Sequence, residues 1–314
     1  MSSLPLIIVN PASASGATGR AWPGAASDVR RHFGPFEVAF TQRGGEAVEI
    51  AEREARAGRR LVIACGGDGT ISEVANGILR AGSDAELGVL PSGTGGDFRR
   101  TLGIPARTAD AAKALREGET RTMDAGRVRF VSEGGVEETR FFVNVASFGM
   151  GGDVINRVKT RSGLPSGAAR LLGGRASFAA AALQAALTFE KPEVSVSLDG
   201  GPRSRLTVAN FCVANARYFG GGMKIAPAAK VDDGRFDVVA VGDVSALTVL
   251  ANSYRLYLGT HLGMREVRHA RARAVRAESA SGMEVKLEVD GELAGRLPAE
   301  FEILPGALRI RCPR

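Results

Sequence analysis

The sequence predicts an α/β N-terminal domain over residues 1–125 and a β-rich, sandwich-like C-terminal domain over residues 126–314. Three observations predict it. The run Leu61-Val62-Ile63-Ala64-Cys65 is apolar throughout, as a strand covered on both faces requires, and it stops at two glycines. Beyond them Ile71, Val74, Ala75, Ile78 and Leu79 recur at helical spacing, so a strand, a tight turn and a helix follow one another. After a helical stretch at Ala109 to Arg116 this rhythm gives way to short alternating strands separated by glycine-rich turns, the pattern of a sheet-built second unit.

In the first domain, the strand Leu6 to Val9 ends in the small, polar turn Asn10 to Gly16. A second strand, Phe36 to Phe40, ends at Thr41-Gln42-Arg43-Gly44-Gly45, and a helix follows over Glu46 to Ala57. The central strand then runs into Gly66-Gly67-Asp68-Gly69-Thr70 at a helix N-terminus. There, unpaired amides and the positive end of the helix dipole favour an anion, glycine lets the backbone approach it closely, and Thr70 adds a hydroxyl. A carboxylate beside phosphate repels it unless a divalent cation lies between them, so Asp68 points to a magnesium nucleotide. Taken alone, the stretch is equally compatible with an ordinary Gly-Asp-Gly turn. The strand Leu87 to Leu90 ends in a second turn of this kind, Pro91-Ser92-Gly93-Thr94-Gly95-Gly96-Asp97-Phe98, able to face the first across the strand ends.

The second domain reads as strands at Thr122 to Phe130, Glu138 to Val145, Glu193 to Leu198, Leu206 to Ala214, Phe236 to Val241, Val285 to Val289 and Ala307 to Cys312. Two helical segments interrupt them, Ala168 to Leu187 and Ala246 to Leu262. The second carries Leu247, Leu250, Tyr254, Tyr257 and Leu258, a stripe whose default place is a core. The loop Asn215 to Met223 suits a position near an interdomain cleft or a hairpin. Lys230 to Arg235 offers a carboxylate and carbonyls around a turn, as a hard cation or a plain Asp-Gly turn would have it. Asp290-Gly291-Glu292 reads by itself as a hairpin turn.

Composition narrows the classes of function. No apolar run approaches the roughly 20 residues a spanning helix needs, and Met1 to Pro5 leads straight into a strand without a secretory signal, so a cytoplasmic protein is expected. Cys65, Cys212 and Cys312 are isolated, which argues against disulfides and zinc. The net charge of +7 suits contact with anionic membranes or nucleic acid. Trp22, Tyr218, Tyr254 and Tyr257 are the only Trp and Tyr residues, too few for base stacking, so nucleic acid is not expected.

NPASASG at residues 10–16, GGDGT at 66–70, PSGTGGDF at 91–98, Asp124, APAAKVDDGRFDV at 226–238 and DGE at 290–292 occur in this order over nearly the whole chain. With them the chain resembles the catalytic-domain family of diacylglycerol, sphingosine and ceramide kinases, in its soluble bacterial lipid-kinase type. The resemblance implies an NAD-kinase/phosphofructokinase-like first domain, a second domain that takes the lipid, and ATP with magnesium as cofactors. It implies nucleotide contacts at Asn10, Pro11, Ala12, Ser13, Ala14, Thr41, Gly66, Gly67, Asp68, Gly69, Thr70, Ile71, Ser72, Glu73, Gly93 and Thr94. Asp68, Asp97 and Asp124 would form the catalytic magnesium network. Glu292 would be the general base, with Asp290 orienting it. A second, structural magnesium would be held by the Asp233 side chain and the main-chain carbonyls of Lys230 and Arg235. Gly96 and Ser72 each stand where the family has Asn.

The resemblance further implies a peripheral place at the inner membrane surface, with Arg157, Lys159, Arg161, Arg170 and Arg175 on anionic phospholipid. Exposed strand edges leave a homodimer open. Two other readings are an NAD kinase-like enzyme, which lacks support from a downstream Gly-Ser-Thr-Ala-Tyr stretch, and a non-enzymatic lipid- or nucleotide-binding regulator, which would have no need of Glu292.

Overall fold

The structure, a computed structural model, describes residues 4–93, 95–150 and 189–314. Strands β1 (Leu6–Val9) and β3 (Leu61–Gly66) are buried at every residue, as their unbroken apolar runs require. β1 lies in parallel between β2 (Glu37–Phe40) and β3, and β3 pairs in parallel with β4 (Glu86–Pro91). Helices α1 (Ala17–His32), α2 (Glu46–Arg56), α3 (Asp68–Ala81), α4 (Asp97–Thr101) and α5 (Thr108–Glu117) connect and cover them.

The sequence reading assigned no element between the Asn10–Gly16 turn and Phe36, and Gly19, Pro23 and Gly24 each weaken a helix there. Burial outweighs propensity here. Val29 and Trp22 enter the core, and the Trp22 ring meets Phe36 and Phe40 edge-on at 6.2 and 6.0 Å. Gly19 is itself a packing device: a Cβ there would stand 3.0 Å from Pro11 Cβ, so its absence lets α1 approach the Asn10–Gly16 turn.

The second half contributes β5 (Glu119–Ser132), β6 (Glu137–Phe142), β7 (Val145–Gly149), β8 (Glu193–Leu198), β9 (Ser204–Thr207), β10 (Asn210–Ala214), β11 (Phe236–Val241), α6 (Ala246–Leu258), β12 (Val267–Ala272), β13 (Ala274–Ser279), β14 (Lys286–Val289) and β15 (Glu292–Cys312). The sequence reading missed β12 and β13, where Ala and Arg alternate too weakly to read as apolar and polar faces. Phe142, Phe148, Phe211, Phe236 and Phe301 fill the core between these strands, with Phe148 stacked on Phe211 at 4.7 Å.

The expected division at residue 125 is crossed by two long strands. β5 and β15 pair over most of their length, and the end of β15 returns to the first core, pairing in parallel with β4 at Arg309 and Ile310. Leu308, Ile310 and Cys312 are buried in that first core, so the chain's last strand belongs to both units. On α6, Leu247, Tyr254 and Leu258 are exposed, contrary to the default placing of the stripe in a core; Leu256, on another face, packs inward. The segment Ala168 to Leu187, the cluster Arg157 to Arg175 and Thr94 lie outside the described residues.

Candidate active site

Three turns meet at the C-terminal ends of β1, β3 and β4, where ligands bind in open α/β sheets. β3 ends at Gly66, Gly67 caps α3 in an extended conformation, and Asp68 opens the helix, as the sequence order predicted. A Cβ on Gly66 would stand 2.4 Å from Thr70 Oγ1, so only glycine lets the hydroxyl fold back over the strand end. Asn10 Nδ2 donates to Thr70 Oγ1 at 3.1 Å, and the Ser13 hydroxyl lies 3.4 Å from it. Asn10 Oδ1 in turn accepts from the Ala12 amide at 3.1 Å. The third turn is drawn in by the Ser92 amide, which donates to the Gly66 carbonyl at 2.8 Å, and by Thr18, whose hydroxyl donates to the Ser92 carbonyl at 2.7 Å. A Cβ on Gly93 would lie 2.5 Å from Gly67 Cα. The first-turn amides of α3, which have no partner within the helix, face this small, hydroxyl-lined wall.

Asp68 and Asp97 come together across the turns. Asp68 accepts from the Asp97 amide at 3.2 Å and the Phe98 amide at 3.1 Å, capping α4. Asp97 is buried, accepts from Arg100 Nη1 at 2.9 Å and from the Gly221 amide at 2.8 Å, and so ties the glycine-rich loop of the second domain to the first. Burial pushes its carboxyl above the ordinary range, and neighbouring Asp68 adds to this. Two carboxylates beside one arginine leave surplus negative charge, a donor set that fits a hard cation shared with nucleotide phosphates. Gly96 has φ +67°, a left-handed position that Gly and Asn both tolerate, which accounts for its departure from the family's Asn.

Asp124 is not part of that pair. Its two oxygens accept from the Gly234 and Gly306 amides at 2.7 and 2.8 Å, which sets it against the Lys230–Arg235 loop. In the loop, Asp233 Oδ1 accepts from the Arg235 amide at 3.2 Å and Oδ2 is ion-paired with Arg271. The guanidinium thus neutralises the carboxylate assigned to a structural magnesium, and the donor set does not fit that ion. Among the described residues no three acidic, imidazole or thiol side chains converge as a metal site.

Asp290 is the most heavily bonded carboxylate of the site. It accepts from the Ser72 hydroxyl at 2.8 Å and from the amides of Val143, Asn144 and Val145 at 3.0, 2.9 and 3.1 Å. Burial still raises its pKa. Ser72, the other departure from the family pattern, is therefore the first domain's link to this turn rather than a residue of the phosphate wall. Glu292 Oε2 pairs with Arg140 Nη2 at 2.6 Å, while its Oε1 lies 3.3 Å from where a Gly69 Cβ would stand. The carboxylate thus faces the GGDGT turn. Glu73, expected at the nucleotide, instead accepts from the Gly45 amide at 3.1 Å at the start of α2; burial, and then Glu292, raise its pKa. Thr41 is buried, and its amide closes the β1–β2 ladder by donating to the Val9 carbonyl at 2.9 Å.

Arg140 and Asn76 escaped the sequence reading. Asn76 Nδ2 donates to the Phe141 carbonyl at 2.9 Å and its Oδ1 accepts from the Phe141 amide at 3.0 Å, which fastens β6 to α3. A polar residue on the apolar face of α3 is the one signal that could have pointed to Asn76; nothing local marks Arg140.

Comparison with known proteins finds a family model on each half of the chain. The family model of the diacylglycerol kinase catalytic domain matches residues 5–128, and that of the YegS C-terminal NAD kinase beta sandwich-like domain matches residues 152–312. The chain is 32% identical to "Diacylglycerol kinase" of Mycobacterium tuberculosis (strain ATCC 25618 / H37Rv) over 98% of its length and 94% of that relative's. It is 33% identical to "Probable lipid kinase YegS-like" of Pseudomonas aeruginosa PAO1, over 92% of this chain and 89% of that one. A crystal structure of a diacylglycerol kinase from Bacillus anthracis str. Sterne shares the fold with a TM-score of 0.71 at 22% identity, covering 99% of this chain and 97% of that one. Yeast NADH kinase complexed with NADH is more distantly similar in fold, at 0.52 and 12% identity over 100% of this chain and 84% of that one.

Proposed function

Because the chain belongs to the diacylglycerol kinase family of lipid kinases, we propose that it transfers the γ-phosphoryl group of ATP, with magnesium, to the hydroxyl of diacylglycerol or a related lipid. The observation that carries this reading is the Glu292 carboxylate, directed at Gly69 in the turn where the three loops meet. A lipid hydroxyl is a weak nucleophile, and a carboxylate within reach of it supplies the proton acceptor the reaction needs.

In this reading the amides of the Gly66–Thr70 turn and the hydroxyls of Ser13 and Thr70 bind the phosphates. Asp68 and Asp97 would hold magnesium, which when bound neutralises phosphate charge. Glu292 takes the hydroxyl proton as the lipid oxygen bonds to the γ-phosphorus. The bond from that phosphorus to the bridging oxygen breaks, and ADP leaves with the electron pair. Asp290, through its four donors, fixes the turn from which Glu292 projects. Catalysis is then largely positioning and charge neutralisation. Leu247, Tyr254 and Leu258, exposed along one side of α6, and the net charge of +7 support peripheral contact with an anionic leaflet. Among the described residues no helix is long and apolar enough to cross a membrane.

The test is incubation with γ-labelled ATP, magnesium and a total lipid extract in mixed micelles, followed by phase separation. Label is expected in the organic phase and lost with Asp68→Ala. Label confined to NAD offered in parallel, or found on no acceptor, overturns the reading.

A further inference from the structure

We propose that Arg140 is a positioning residue for Glu292, holding one carboxylate oxygen so that the other faces the GGDGT turn. This rests on the reading of Glu292 as general base. Glu292 is a three-rotor side chain at the start of β15, directly after Asp290 and Gly291, both at positive φ. Nothing in that turn by itself aims it. Arg140 Nη2, 2.6 Å from Oε2, does so from a neighbouring strand, and the pair is partly sheltered, with Arg140 22% and Glu292 39% exposed. Oε1 is left toward Gly69.

Arg140 is itself placed by the fold. The next residue, Phe141, has both backbone polar groups taken by the Asn76 amide, a two-bond clamp from α3 to β6. The helix whose N-terminus carries the phosphate turn therefore also sets the height of the guanidinium over that turn. Sequence separation hides this connection: Asn76 and Phe141 are 65 residues apart, and Arg140 and Glu292 are 152 apart.

The charges facing Glu292 make a counter-ion necessary. Glu73 approaches from α3, and its carboxyl is raised by burial and then by the neighbouring Glu292 charge. Asp290, in the same turn, is enclosed by its own four donors. Arg140, on β6, is the cation at this position among the described residues. Without it nothing holds Oε2, and the three rotors of Glu292 are free to turn Oε1 away from the place where a substrate hydroxyl must give up its proton.

The test follows the carboxyl carbon of Glu292 by 13C shift titration, assigned with Glu292→Gln, in the wild type, Arg140→Gln and Arg140→Lys. Removing a neighbouring positive charge raises a carboxyl pKa, so Arg140→Gln should move the Glu292 midpoint up by about one unit, and Arg140→Lys by clearly less. In labelled-ATP assays with dispersed diacylglycerol, the acid limb of kcat should move up in step while KM for ATP holds. A Glu292 midpoint that stays put in Arg140→Gln, or one that moves as far in Arg140→Lys, overturns the inference. A midpoint that moves while the acid limb does not contradicts instead the assignment of Glu292 as base.

Discussion

Asp290 shows how one side chain can hold two domains in register. Its partners come from α3 through Ser72 and from the start of β7 through the backbone of Val143 to Val145. Three of the four are backbone amides and only the Ser72 hydroxyl can also accept, so in either orientation Asp290→Asn turns its NH2 toward at least one N–H that cannot accept. A cost of about 3 kcal/mol is expected in urea unfolding, because buried donors left without an acceptor lose their full desolvation energy. Ser72→Ala removes one donor together with its need and should cost about 1 kcal/mol. His261 carries a pH dependence of its own. It is buried, with Nε2 3.0 Å from the Ile225 carbonyl oxygen, and burial holds its pKa below the ordinary 6.5. A depressed folded pKa means that stability is complete above the unfolded value and is lost as pH falls through the folded one. Melting temperature should therefore decline less steeply on acidification in His261→Gln than in the wild type.

Among the elements, α3 carries the largest share of the site, and its own packing is set by Gly77. A Cβ there would stand 2.5 Å from the Val48 carbonyl oxygen and 2.6 Å from Ala51 Cβ. Helix propensity favours Ala over Gly by about 1 kcal/mol, but a clash with the backbone of α2 has nowhere to relax, and overpacking costs about 1–3 kcal/mol. Gly77→Ala should accordingly destabilise the chain in thermal unfolding despite its better propensity. The Lys230–Arg235 loop makes a second prediction. With Arg271 on Asp233, chelation by EDTA should leave the wild-type melting temperature unchanged, whereas Arg271→Ala should lower it and make it responsive to added magnesium. A wild-type loss of stability on chelation would show that a metal, not the guanidinium, closes the loop.

Among the described residues the two larger cores are sewn together by β5 and β15, and this is where sequence and structure part most clearly. The βα units, the two glycine turns and the DGE turn were legible because each is a local pattern of strand, turn residue and helix period. Gly66, Asp68 and Thr70 stand where that pattern set them. What the sequence did not disclose is pairing over distance: the return of Leu308, Ile310 and Cys312 to the first core, the Ser72–Asp290 bond, and the Arg140–Glu292 pair. The placing of Asp124 with Asp68 and Asp97, and of magnesium on Asp233, came from the resemblance, and it is the local donors Gly234, Gly306 and Arg271 that redirect those carboxylates. The central claim is that Glu292 acts in the transfer step rather than in binding. Its most direct test is single-turnover transfer of labelled phosphate from ATP to dispersed diacylglycerol, with ATP affinity measured calorimetrically on the same samples. The account predicts that Glu292→Gln slows transfer by at least about a hundredfold while ATP affinity stays within about twofold. A variant that transfers at the wild-type rate, or one that is slow only because it no longer binds ATP, would contradict it.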